Sequence, residues 1–178
     1  FRRVLFRSAS SIVAGMQSTW SEDGEDLGWG KDSIIAMVKH FPGDGAAEAG
    51  REAHNNYGKY AVYPGDNMAE HVAVFAATMD LGEKSKTEMA MAVMPSYSAA
   101  YDSQGKPIGE SVGSGYSSYK MQDLLRGELG FKGVICSDWG ITSSKVWGVE
   151  NKSEVERHYL AIMNRSEERR VGKECRSR

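Results

Sequence analysis

Three short apolar runs, each broken off by polar or aromatic residues, constrain this chain more than any other feature. Residues 33–38 (SIIAMV) run into KHFPGDG, residues 88–94 (EMAMAVM) into PSYSAAY, and residues 134–137 (VICS) into DWG. Continuous apolar runs of this length are the signature of strands buried on both faces. Amphipathic stretches separate them. Residues 11–17 (SIVAGMQ) read as the last turns of a helix. Asn67 opens a second helix, with Glu70 at capping-box spacing and Val72, Phe75, Ala76 and Met79 along one stripe, stopped by Gly82. Residues 119–129 place Met121, Leu124, Leu125 and Leu129 on one face before Gly130, and residues 153–164 place Val155, Tyr159, Ile162 and Met163 inward. Segments 19–31, 46–66 and 107–118 carry no clear period and read as connections.

Apolar strands alternating with amphipathic helices predict an α/β fold with a parallel sheet and right-handed crossovers. Each run ends in residues that can do chemistry: Lys39-His40, Ser96-Tyr97 and Asp138-Trp139. Function carried on the C-terminal ends of parallel strands is the rule for the (β/α)8 barrel and for the doubly wound sheet. Asp138 is an acceptor-only carboxylate when ionised, Lys39 brings three donors, and His40 both donates and accepts. Trp139 offers a flat apolar face, and Tyr97 packs while donating a hydrogen bond. That mixture suits a polyol, with its hydroxyl edges and C–H-rich faces. A phosphate site calls for glycine amides at a helix N-terminus with no carboxylate facing it.

Composition excludes several classes. A formal net charge of −2 over 178 residues does not point to nucleic acid. No apolar run approaches the length that crosses a bilayer, so neither membrane nor nucleic acid is an expected partner. The four histidines (His40, His54, His71, His158) never pair at HxxxH spacing, no CxxC occurs, and no metal or other cofactor is expected. Two cysteines define no disulfide framework, and Cys136 reads as a small core hydrophobe.

KHFPGDG, then MPSYS, then LRGELGFKGVICSDWG, in this order and spacing, resemble glycoside hydrolase family 3 over most of residues 11–164. The resemblance implies a partial (β/α)8 TIM-type barrel, the C-terminal portion of the barrel, occupying residues 9–164. It implies a retaining exo-acting β-glycosidase removing terminal β-linked glucose or xylose from oligosaccharides or glycosides, with no metal. By the same resemblance Asp138 is the catalytic nucleophile, Lys39 and His40 bind sugar hydroxyls, Trp139 lines the pocket mouth, and Met94 and Tyr97 lie near the nucleophile. In the β-glucosidase-like branch the acid/base comes from a following α/β domain, so this stretch alone is expected to be inactive. A second branch, the β-N-acetylhexosaminidases, carries KHFPGHG and a downstream Asp-Ser-His whose His is the acid/base. Here Asp44 stands where that branch has His, and REAH puts His54 after no Asp-Ser pair, so the β-glucosidase/β-xylosidase reading fits better. A non-catalytic sugar-binding relative and an unrelated phosphosugar enzyme using the GDG loop are the other readings. Asp44 is expected to brace its loop, and Arg51 and His54 to lie on the surface. Neither sugar, linkage nor compartment is written in the motifs; the family often works outside the cytoplasm, in the periplasm or the extracellular space.

The two ends do not match the middle. FRRVLFRS (1–8) and RSEERRVGKECRSR (165–178) are basic and carry no useful period. The codons AGA TCG GAA GAG CGT CGT GTA, a sequencing-adapter string, translate as RSEERRV. Residues 1–8 and 165–178 are therefore expected to be adapter-derived rather than natural. Without their nine Lys/Arg and three Glu, 13 of 22 basic residues face 21 of 24 acidic ones, a balance of −8. An acidic surface disfavours nucleic acid and anionic membrane. Sequencing the source DNA across both junctions tests this: the coding match should break at each, and continuous genomic sequence through either would overturn it.

Overall fold

The computed structural model describes residues 2–164; the expectation about residues 165–178 lies outside them. The order of elements is α1 (Arg2–Gln17), β1 (Met37–Phe41), β2 (Tyr60–Val62), α2 (Met68–Met79), β3 (Ala92–Pro95), β4 (Ala99–Tyr101), a π-wound helix (Tyr119–Glu128), β5 (Val134–Ile135) and α3 (Glu154–Met163). Residues 2–8 are wound into the first helix, continuous with the turns expected at 11–17. No helix among the described residues is long and apolar enough to cross a membrane.

All strand pairs are parallel, as the alternation predicts. One sheet has the order β1-β3-β5 and a second pairs β2 with β4. Barrel closure is not seen among these five strands. Position in the sheet explains where the strand expectations succeed. Only β3 is central, and its four residues are all buried. β1 and β5 each have one neighbour, so Ile34, Ile35, Met37 and Val134 are exposed where burial on both faces was expected. β1 also begins later and runs on through Lys39-His40-Phe41. Phe41 is fully buried and meets Phe75 of α2 edge to face at 5.4 Å.

The helix stripes mostly seat as expected. Val13 and Ala14 of α1, Val72, Phe75 and Met79 of α2, and Met121, Leu124 and Leu125 of the π-wound helix join one core with Val93 and Ile135. Gln17, fully buried, serves the strand that follows: its Oε1 accepts from Met91 N–H at 2.8 Å and its Nε2 donates to Met89 O at 3.0 Å. Three expectations fail. Asn67 precedes α2 but its side chain makes no cap bond, so the capping box is absent there. It forms instead at α3, where Ser153 and Glu156 cap each other. Val155, Tyr159, Ile162 and Met163 of α3 face outward, because no described element covers that side; Ala161 is the residue that seats. Cys136 is half-buried rather than core. β2 lies in the 46–66 segment read as a connection and β4 in the PSYSAAY tail of the second run, each three residues long.

A second, smaller cluster of Tyr97, Tyr116, Ile141, Trp147, Val149 and Ala161 sits under the loops that leave β3 and β5. It is the platform of the site below. One residue works against the core. Lys120 is fully buried and its Nζ has no hydrogen-bond partner. Burial pushes its amine down to about 8 from 10.5, against the opposing pull of Glu110. A lysine whose folded pKa is depressed costs stability in full below that value, where it is charged in both states. The cost fades from about pH 8 to about 10.5 as the folded amine alone sheds its proton. Lys120→Met should therefore stabilise the fold, by about 1–3 kcal/mol at neutral pH, with the gap to the parent closing as pH rises toward 10.5. Thermal melts of both proteins across that range check this; a destabilised variant, or a gap independent of pH, would contradict it.

Candidate active site

In a parallel sheet all strands point the same way, so their C-terminal ends share one edge. β1, β3 and β5 there deliver His40, Tyr97 and Asp138 together. The ladder continues past the formal strand ends: Ser96 N–H donates to Phe41 O at 2.7 Å, and Cys136 N–H to Val93 O at 2.9 Å. Asp138 is thus held by the sheet rather than by a free loop. It is 8% exposed, and its Oδ1 accepts from the Trp139 N–H at 2.7 Å. Its Oδ2 faces His40 Nε2 at 3.5 Å. The other ring nitrogen of His40, Nδ1, meets Asp44 Oδ2 at 2.7 Å.

Tyr97 ties the two loops of this mouth. Its hydroxyl donates to the Trp139 carbonyl at 2.7 Å. Burial, and then the nearby Asp138 charge, push its phenol well above the ordinary tyrosine value. Tyr97 therefore stays protonated and keeps its hydrogen to donate. Its ring also meets the His54 ring edge to face at 4.8 Å. His54 Nδ1 is hydrogen-bonded to Glu52, and that bond holds the Glu52 carboxyl below its usual range. The segment after Asp138 clamps this loop: Lys145 Nζ donates to His54 O at 2.7 Å, and Trp147 Nε1 to Ala53 O at 2.8 Å.

His40, Asp44, Glu52, His54, Tyr97 and Asp138 line a cavity of about 430 Å³, a volume that suits a small molecule. Three carboxylates (Asp44, Glu52, Asp138) stand on its wall with Arg51 and the two imidazoles of His40 and His54. The Gly43-Asp44-Gly45 turn opens no helix, being followed only by a three-residue helical turn at Glu48–Gly50. That wall is wrong for a phosphate and right for a hydroxyl-rich ligand. Among the described residues no cluster of three or more His, Cys, Asp or Glu has the arrangement of a metal site.

Of the six residues singled out by sequence, Asp138, His40 and Tyr97 come together on the cavity wall. Lys39 does not line it. It is exposed in an adjoining recess with Val38, Val74 and Thr78, which shares His40 and Asp44 with the first. The Trp139 backbone is tied in, but its indole is 66% exposed and outside the wall. Met94 is buried in β3, paired with Lys39 across the ladder, behind the cavity rather than in it. Arg51 and His54 are exposed, as expected from sequence, and with Glu52 they also edge the cavity, a placement sequence reasoning did not foresee; Asp44 was given only its own loop to brace. The signal available was the Glu-x-His spacing of Glu52 and His54, too common in polar loops to weigh alone.

Comparison with known proteins gives this edge a context. Residues 2–161 match the glycosyl hydrolase family 3 N terminal domain. Beta-glucosidase C of Emericella nidulans is 38% identical over 141 residues, covering 72% of this chain and 21% of that protein. The periplasmic beta-glucosidase/beta-xylosidase of Dickeya chrysanthemi is 36% identical over 171 residues, covering 84% of this chain and 24% of that protein. A beta-hexosaminidase of Psychromonas ingrahamii is 34% identical over 106 residues, covering 59% and 27%. Among solved structures, a beta-glucosidase involved in saponin metabolism from intestinal bacteria superposes with a TM-score of 0.63 at 19% identity, over 92% of this chain and 18% of that one. At that identity the likeness speaks for the fold. The chain spans about a fifth to a quarter of the length of the beta-glucosidases it matches. A match over nearly all of the described residues, with the strand ends in the order just described, makes this chain a member of glycosyl hydrolase family 3 carrying part of its N-terminal domain.

Proposed function

We propose that this chain is the nucleophile-bearing part of a retaining β-glycosidase that removes terminal β-linked glucose or xylose, and that its strands form part of a (β/α)8 barrel. The observation that carries the reading is Asp138: a nearly buried carboxylate, fixed by a sheet, opening on a polar cavity beside an imidazole. The Dickeya relative's name, a beta-glucosidase/beta-xylosidase, supports the choice of sugars.

In this reading Asp138 attacks the anomeric carbon, the glycosidic C–O bond breaks, and the leaving oxygen takes a proton from a second carboxyl. Water then attacks the glycosyl-enzyme, giving its proton back to that group and restoring the Asp138 carboxylate. The Trp139 N–H bond to Oδ1 leaves Oδ2 as the attacking oxygen. The protonated Tyr97 and the ring of His40 line the approach. Lys39 and the Trp139 indole take part only where a bound sugar extends from the cavity to the rim, and Met94 supports from behind. The acid/base belongs to a following α/β domain, so the chain alone should turn over no aryl β-glycoside.

A second reading has a specific observation behind it. The hydrogen-bonded Glu52–His54 pair stands on the same cavity wall as Asp138, and a carboxylate-oriented histidine is a competent proton donor. With a beta-hexosaminidase among the relatives, that supports an N-acetylhexosaminidase carrying its own acid/base.

The experiment labels the longer natural polypeptide with a 2-deoxy-2-fluoro β-glucoside or β-xyloside and maps the modified peptide. The label should fall on Asp138, and Asp138→Ala should lower turnover on the order of 10⁴-fold or more. A folded protein that takes no label from either reagent would overturn the β-glucosidase/β-xylosidase reading. Turnover of an aryl N-acetylglucosaminide by the present chain, lost in His54→Ala, would establish the second reading over the first.

A further inference from the structure

The geometry points to Asp44 as a positioning residue that fixes which nitrogen of His40 carries the proton, and so keeps His40 from bonding directly to Asp138. His40 lies between two carboxylates. Asp44 Oδ2 stands 2.7 Å from Nδ1, and Asp138 Oδ2 stands 3.5 Å from Nε2. A carboxylate only accepts, so the short contact requires a hydrogen on Nδ1. In the neutral ring Nε2 is then bare. The longer separation agrees, because two acceptors facing each other cannot close to hydrogen-bond distance.

The backbone is built to hold this contact. Phe41 is fully buried and locked against Phe75, which anchors the strand end that carries His40. The turn that brings Asp44 back onto the ring four residues later passes through Gly43 at φ 128°, a conformation that glycine alone adopts without strain. Tyr63 lies near enough for the Asp44 charge to add to the burial that pushes its phenol up to about 12, but its hydroxyl makes no hydrogen bond among the described residues, so it takes no part in the Asp44–His40 contact.

The consequence is a slot walled by two acceptors, Nε2 and Oδ2, whose natural occupants are donors: hydroxyls on adjacent carbons, or a water. Remove Asp44 and the neutral ring is free to move its hydrogen to Nε2. It would then donate to Oδ2, close the slot and tie up an Asp138 lone pair. This last clause rests on Asp138 being the nucleophile; the proton assignment does not.

Long-range ¹H–¹⁵N correlation on ¹⁵N-histidine-labelled protein reads the assignment without any activity. The chain has four histidines, and the His40 signals are those lost in His40→Gln. The measurement is made on this chain, and on the longer polypeptide where the chain alone self-associates. Expected is a protonated Nδ1 with a bare Nε2, kept in Asp44→Asn, whose amide oxygen still accepts, and reversed or mixed in Asp44→Ala. A protonated Nε2 in the parent protein, alone or together with Nδ1, overturns the proposal, as does an Asp44→Ala spectrum identical to the parent. In the longer polypeptide Asp44→Ala should lower kcat/KM by roughly 10–100-fold, the range for groups that orient metal-bound imidazoles, and Asp44→Asn should restore most of it. A longer polypeptide inactive on every β-glycoside would sink the glycosidase reading while the nitrogen pattern still decided the role of Asp44.

Discussion

The double pairing of β3 is the interaction on which the rest of this structure depends. Ala92 and Val93 pair with Met37 and Val38 on one side and with Val134 and Ile135 on the other. No tight turn joins parallel strands, so nothing local sets their register. It is set by this ladder and by the burial of β3 on both faces, where a slip of one residue would exchange every side chain between faces. His40 lies on one outer strand and Asp138 just past the end of the other, and they never share a ladder bond. Their 3.5 Å approach is a distance measured across β3.

A short ladder does not by itself fix loops. The mouth of the cavity is irregular backbone whose carbonyls need donors, and long side chains supply them. Arg157 of α3 donates to Thr142 O, Val149 O and Glu150 O, so one guanidinium gathers the whole segment after Trp139. Tyr116 donates to Ile141 O and Tyr97 to Trp139 O from beneath. That segment in turn holds the His54 loop through Lys145 and Trp147. The cavity is therefore positioned by two layers: the sheet fixes His40 and Asp138, and a set of charged or aromatic donors fixes Glu52 and His54. The two layers meet at Tyr97, which bonds to one loop and packs on the other.

Regularity and repetition were what made parts of this legible in sequence. The alternation of apolar runs with amphipathic stretches located β3, α2 and the face of the π-wound helix, because continuous burial and a 3.6-residue stripe leave a periodic trace. Asp138 and His40 were legible because they close such runs. The rest lacked a trace for physical reasons. β2 and β4 are too short to show a period. Exposure of Ile34, Ile35 and Val134 depends on which strand has a second neighbour, a property of the sheet and not of the run. The stripe on α3 is real as a pattern, but a pattern does not say whether anything covers it. Glu52, His54 and Asp44 act through side-chain geometry within loops, and the polar residues of a loop look alike until the loop is folded.

Lys120 has a consequence beyond the energy of its burial. An amine reacts with acylating reagents as the free base and only where the reagent can reach it. In the folded protein the depressed proton affinity leaves more of Lys120 as free base than an exposed lysine has, yet full burial shields it. Its modification can proceed only through openings of the π-wound helix away from Val93 and Ile135. The rate at which Lys120 is acylated, set against that of an exposed lysine such as Lys132, thus counts those openings. A residue that weakens the core doubles as a chemical clock for its breathing.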